Sequence, residues 1–134
     1  MRISAVIDCN VLVSGLLGPS TRPIVEAIMN NEFRLITSDD LFSELKLVLA
    51  RSHITSRLSK SNRGTFLSLI KKRAVFVESP AVVKACRDPD DDALLGCALG
   101  HAQMIVTFDP DLLSMKIFKN VEIITPHEFI KRIQ

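Results

Sequence analysis

The strongest constraint on this fold is a set of short apolar runs that alternate with helical stretches. Ile3–Ser4–Ala5–Val6–Ile7, Phe33–Thr37, Val75–Val77, Met104–Thr107 and Val121–Ile124 are continuous apolar runs rather than alternating ones. Such runs suit strands buried on both faces, as in a parallel sheet sheathed by helices. Between them, Thr21-Arg22-Pro23 opens a helix with threonine at the cap and proline just inside, and Asn30-Asn31 ends it. Ser38 caps the next helix, with Asp39 and Asp40 in its first turn, and Leu41, Leu45, Val48 and Leu49 carry it to about Ser52. Further helical stretches are expected over 59–72, from Asp90 to about Gly100, over 111–115 as a single turn, and over 126–133. Gly15 and Gly18-Pro19 limit regular structure after the first strand. The expectation is one α/β domain spanning 1–134: a three-layer α/β/α sandwich around a mainly parallel sheet of about five strands.

The positions of the acids on this frame point to chemistry. Asp8 directly follows the first apolar run and Asp109 closely follows the fourth. In an open α/β sheet the carboxyl ends of the strands face a common crevice where ligands bind. Glu44 sits in an earlier helical stretch, and Asp88-Pro89-Asp90-Asp91-Asp92 opens a later one. Pro89 disfavours helix at Asp88, so Asp88 reads as a cap, with Asp91 or Asp92 pointing inward. The helix dipole accounts for Asp88 and Asp90 without any metal, but less well for Asp92 beside the apolar face. An acid ending a buried strand, as Asp8 does, needs a partner. Carboxylates from separate segments suit Mg²⁺ or Mn²⁺, hard cations that favour oxygen ligands and keep several waters.

Other functional classes find less support. Cys9, Cys86 and Cys97 are odd in number and lack CxxC spacing, so neither a disulfide framework nor a zinc site is expected. His53, His101 and His127 are scattered. No apolar run approaches the ~20 residues needed to span a bilayer. The amino terminus has no basic n-region or cleavage site, and a cytoplasmic location without membrane attachment is the expectation. Net charge is +2, yet from Leu45 to Val77 there is no acid and there are eight bases, including Arg51, Arg57, Lys60, Arg63, Lys71, Lys72 and Arg73. Any one of these is accounted for by a solvated surface. The acid-free segment as a whole suits contact with a polyanion.

Val6–Ile7–Asp8–Cys9–Asn10–Val11–Leu12–Val13, Ser43–Glu44–Leu45, Asp88–Pro89–Asp90–Asp91–Asp92–Ala93–Leu94–Leu95–Gly96–Cys97–Ala98 and Ile105–Val106–Thr107–Phe108–Asp109–Pro110–Asp111–Leu112–Leu113 together resemble, in order and spacing, the four motifs of the PIN-domain family of metal-dependent ribonucleases. The resemblance implies a PIN-like fold and an acidic quartet of Asp8, Glu44, Asp92 and Asp109 around one or two Mg²⁺ or Mn²⁺ ions. It adds Asp91 and Asp111 as auxiliaries, with Asn10 and Thr107 as orienting polar residues. Cys9 stands where the family commonly has threonine, and Phe108 where arginine or glycine is frequent. The DP-x-DD form of the third motif is closest to the VapC-like toxin components of toxin–antitoxin modules. That likeness implies RNA as substrate, an antitoxin as partner and a homodimer. The expected reaction is phosphodiester hydrolysis by metal-activated water. Two other readings remain at this point: a receiver-like Mg²⁺-binding signalling domain, and a non-catalytic interaction domain whose acids meet a basic peptide.

Overall fold

A computed structural model describes residues 2–134. Its elements run β1 (Ser4–Ile7), α1 (Cys9–Leu17), α2 (Arg22–Met29), β2 (Arg34–Thr37), α3 (Asp39–Leu49), α4 (Ser52–Thr55), α5 (Lys60–Arg73), β3 (Val75–Phe76), α6 (Pro89–Ala98), β4 (Met104–Val106), α7 (Pro110–Leu113), β5 (Ile117–Phe118), β6 (Val121–Ile124) and α8 (Pro126–Ile133). The six strands form one sheet in the order β3-β2-β1-β4-β6-β5. All pairings are parallel except β5 with β6. The expected mainly parallel α/β sandwich is therefore what forms, with one more strand than the sequence suggested.

Strand pleating sorts the core into two layers. Ala5 and Ile7 of β1, Leu35 of β2 and Met104 and Val106 of β4 face one side, where they pack with α1, α2, α5 and α8. Val6, Ile36, Ile105 and Ile123 face the other, against Leu94, Leu95, Cys97 and Ala98 of α6 and Leu112 of α7. Each fully buried aliphatic or aromatic side chain contributes about 1.5–3 kcal/mol. Continuous apolar strands are thus the consequence of two covered faces.

Two elements depart from the sequence reading. Residues 9–17 form a regular helix in spite of Gly15. A Cβ on Gly15 would lie 2.6 Å from Val25 Cγ2 and 3.0 Å from the Thr21 carbonyl oxygen, so this glycine lets α1 and α2 pack closely rather than breaking the helix. The second departure is β5, a two-residue antiparallel edge joined to β6 through Lys119 and Asn120, both at positive φ (45° and 72°). Positive φ at both central residues is the mark of a tight two-residue hairpin. The helix expected from 38 to about 52 also divides, with α3 ending at Leu49 and a separate turn following as α4.

The strand order fixes where a ligand can sit. From β1 the chain moves outward to β2 and β3, then crosses back to place β4 on the other side of β1. The crevice of such a sheet lies outside the carboxyl ends of the two strands at this reversal, which here are Ile7 of β1 and Val106 of β4. Asp8 and Asp109 stand one and three residues beyond those ends.

Candidate metal centre

Asp8 leaves β1 while still part of the sheet: its amide donates to the Val106 carbonyl at 2.9 Å. Its carboxylate makes no capping bond to α1 and is free to turn toward β4. There the Thr107 hydroxyl donates to Asp8 Oδ2 at 2.8 Å. The same hydroxyl oxygen accepts from the Asp109 amide at 3.0 Å. Thr107 is fully buried, so one side chain locks two acids from opposite ends of the chain into register. Burial raises the Asp8 carboxyl above its ordinary value, the Thr107 hydrogen bond opposes that, and Asp109 adds to the rise.

The amino terminus of α6 closes the crevice. Asp88 caps the helix by accepting from the Asp90 amide at 2.9 Å. Asp91 is the inward acid, only 6% exposed. Burial, a hydrogen bond with Asp109 and the charges of Asp109, Asp88 and Asp8 push its carboxyl up to about 7. Glu44 approaches from α3. Its carboxyl is also raised, by burial first and then by Asp90 and Asp8, with a hydrogen bond from Cys9 and the charge of Arg51 opposing. The resulting cleft, of about 310 Å³, is lined by Asp8, Asn10, Glu44, Asp88, Asp90, Asp91, Leu94, Phe108, Asp109 and Pro110.

Asp92 and Asp111, proposed from the sequence alongside these acids, are not brought to the cleft. Asp92 Oδ1 accepts from the amides of Ala85 at 3.0 Å and Cys86 at 2.8 Å. Those amide bonds hold its carboxyl below the usual range. The helix starts at Pro89, and this phase turns Asp91 inward and Asp92 toward the preceding loop. Asp111 donates its amide to Asp109 Oδ1 at 2.9 Å, while its exposed carboxylate lies 3.9 Å from Arg87 Nη2. Asp88 and Asp90 do line the cleft, although the helix dipole had seemed to account for them. Their signal was their density beside Asp91.

None of the basic residues of 46–73 lines the cleft. Arg51 comes nearest, close enough for its charge to act on Glu44 and Cys9. Arg57, Arg63 and Arg73 donate to the carbonyls of Leu17, Leu58 and Met29. The ammonium of Lys71 stands 5.6 Å from the Phe42 ring centroid, and Lys60 and Lys72 are exposed on α5. All three cysteines are free. Burial pushes the Cys9 thiol up to about 12 and those of Cys86 and Cys97 up to about 11, so none is a reactive thiolate.

The donor set tests whether a cation fits. Six acids and Asn10 line the cleft with no lysine, arginine or histidine among them. Burial first, and their mutual repulsion after it, raises the Asp91, Glu44 and Asp8 carboxyls. All the donors are hard oxygens, which suits Mg²⁺ or Mn²⁺ and not zinc. Among the described residues, no three histidine, cysteine, aspartate or glutamate side chains stand already gathered tightly enough to hold an ion. Bare carboxylates repel one another, and side-chain rotation within the cleft, where Glu44 is half-buried and Asp90 exposed, is needed to converge them. The residues fit the group.

The family model described as "PIN domain" matches residues 4–111. The chain belongs to the PIN domain family. The matched span of this PIN domain contains every cleft-lining residue. PIN domains are generally metal-dependent nucleases. The chain is also similar to the uncharacterized protein MJ1680 of Methanocaldococcus jannaschii, at 27% identity over 145 residues covering 100% of this chain and 94% of the relative. Among the described residues, no helix is long and apolar enough to cross a membrane.

Proposed function

We propose that this PIN domain is a Mg²⁺- or Mn²⁺-dependent endoribonuclease acting in the cytoplasm as the toxin of a toxin–antitoxin module. The observation that carries the nuclease reading is the cleft itself, which acids from four separate segments line without a compensating base. The toxin reading rests on the DP-x-DD form of residues 88–92, with a cognate antitoxin and a second copy of the chain as the protein partners. When bound, one or two divalent ions supply charge neutralisation and water activation for phosphodiester hydrolysis.

The residues divide the work around that group. Asp8, Asp91 and Asp109 are the ligands, and Glu44 faces them from α3 as a further ligand or as the residue that orients water. Thr107 is a positioning residue that fixes Asp8 and the Asp109 backbone. Asn10, which lines the same cleft, is a second orienting polar residue. Asp92 acts at one remove, tying the loop at Ala85 and Cys86 to the start of α6 so that Asp91 keeps its place. The bases of 46–73, Arg51 foremost, meet the RNA backbone outside the acidic pocket, where positive charge attracts phosphate without quenching the carboxylates. The receiver-like reading loses support, because receiver sheets run 2-1-3-4-5 and this sheet runs 3-2-1-4-6 across its parallel core.

The test is cleavage of a single-stranded RNA by purified protein with Mn²⁺, with EDTA and with Asp8→Asn. Cleavage by the parent that is abolished by EDTA and by the substitution is the expected result. A parent that cuts nothing, or an Asp8→Asn protein that cuts equally well, refutes the proposal. Absence of Mg²⁺ and Mn²⁺ binding by calorimetry would favour the interaction domain instead.

A further inference from the structure

Phe108 is an anomaly among the aromatics. The chain has seven phenylalanines and neither tryptophan nor tyrosine. Six of the seven are buried or half-buried, whereas Phe108 is 49% exposed. The other exposed large hydrophobics, Met29, Leu47, Val75, Val82 and Ile117, are aliphatic and none lines the acidic cleft.

The backbone accounts for its exposure. Strand alternation continues past β4, and with Thr107 buried at the Asp8 carboxylate, its neighbour must face outward. Both neighbours of Phe108 are tied down: the Thr107 amide donates to the Ile124 carbonyl at 3.1 Å, and the Asp109 amide to Thr107 Oγ1. Pro110 then fixes φ at the start of α7. A ring on so constrained a root has two torsions to order and presents its face at low entropic cost. Leu94, Phe108 and Pro110 make the cleft's apolar lining beside its carboxylates. A nucleotide has the same two-sided chemistry, an anionic phosphate for metal-bearing carboxylates and a flat apolar base.

We infer that Phe108 is a nucleobase platform on which one unpaired base of single-stranded RNA stacks while the adjoining phosphate enters the acidic cleft. This rests on the nuclease reading and narrows it to unpaired RNA, since a base within a duplex has both faces occupied. Stacking on an aromatic side chain is tolerant of sequence, so the platform selects for strandedness rather than for one base.

Because the chain lacks tryptophan and tyrosine, Phe108→Trp introduces a single indole reporter at the position in question. In an Asp8→Asn background, which binds without cutting, a single-stranded oligoribonucleotide should quench its emission. The same oligonucleotide with abasic residues, and a fully paired duplex, should not. In cleavage assays, Phe108→Ala and Phe108→Leu should raise KM roughly 5- to 150-fold, the range set by one stacked base, with kcat unchanged. Phe108→Tyr, which keeps the π face, should retain the parent KM. Leucine preserves apolar bulk, so a merely structural role would leave Phe108→Leu near the parent. Equal quenching by the abasic strand, or a Phe108→Leu enzyme that matches Phe108→Tyr, overturns the inference while leaving the nuclease intact. A parent that cuts no RNA, yet whose Phe108→Trp emission is quenched only by unpaired bases, removes the nuclease and supports the platform.

Discussion

Replacing Asp91 with asparagine should stabilise the metal-free protein at alkaline pH while removing its response to metal. In the folded chain the Asp91 carboxyl stands at about 7 against an ordinary 3.8, raised by burial and by Asp109, Asp88 and Asp8. Between those values the folded state keeps a proton that the unfolded state has released. Stability therefore falls as pH rises from 3.8 toward 7 and levels off above it. The full gap corresponds to a ceiling of about 4 kcal/mol at 1.36 kcal/mol per pH unit. The carboxyl sits at the floor of an open cleft, and solvent screening reduces this to about 1–2 kcal/mol. Asparagine is close to isosteric with the protonated acid and carries no charge, so it escapes the penalty. For a domain of this size the gain is about 3–8 °C in Tm at about pH 8.5, with parent and variant converging near pH 4. Melting curves followed by circular dichroism in EDTA read this directly. Adding Mn²⁺ should then raise the parent Tm more than that of Asp91→Asn, since a bound cation relieves the repulsion. A variant that melts no higher than the parent at alkaline pH in EDTA, or that gains as much from Mn²⁺, would refute the placement of Asp91 among mutually repelling carboxylates.

Thr107→Val keeps the shape of the side chain and removes the hydroxyl shared by Asp8 and the Asp109 amide; it should cost about 1–3 kcal/mol in urea unfolding and lower metal-dependent cleavage, whereas Thr107→Ser should recover most of both. Gly15→Ala should destabilise by about 1–3 kcal/mol through overpacking against Val25 and the Thr21 carbonyl; combining it with Val25→Ala should cost less than the sum of the two single changes, as a double-mutant cycle would show.

The strands, their parallel arrangement and most helices were legible because burial on two faces leaves a local trace in the sequence. Even the termini of the last helix, 126–133, follow from local signals, with Thr125 accepting from the Glu128 amide as its cap at 3.1 Å. The helix at 9–17 was hidden because Gly15 reads locally as a breaker, whereas its role is a close approach to residues on the following helix. The strand at 117–118 is too short to have a period, and only the two left-handed residues at 119 and 120 betray its hairpin. At the site, sequence could place Asp8 and Asp109 at strand ends and mark Glu44. The resemblance favours Asp92 over Asp91, and nothing local corrects it, because the placement depends on two backbone amides, of Ala85 and Cys86, that reach back to Asp92. Nor could sequence pair Asp8 with Thr107, since nothing local links positions 99 residues apart.

That separation has a consequence for synthesis. The central strand of the sheet, β1, leaves the ribosome well before its partner β4, with Ala5 paired to Met104. At about 5–20 residues per second, several seconds pass during which Asp8 exists with neither Thr107 nor Asp109 to meet it. Such non-local pairing also makes folding slow, because the long loop between Ala5 and Met104 must close first. A nascent chain therefore cannot assemble the acidic centre until β4 and the residues after it have emerged. Any nuclease built on this plan is born inert, held so by the order in which the strands appear.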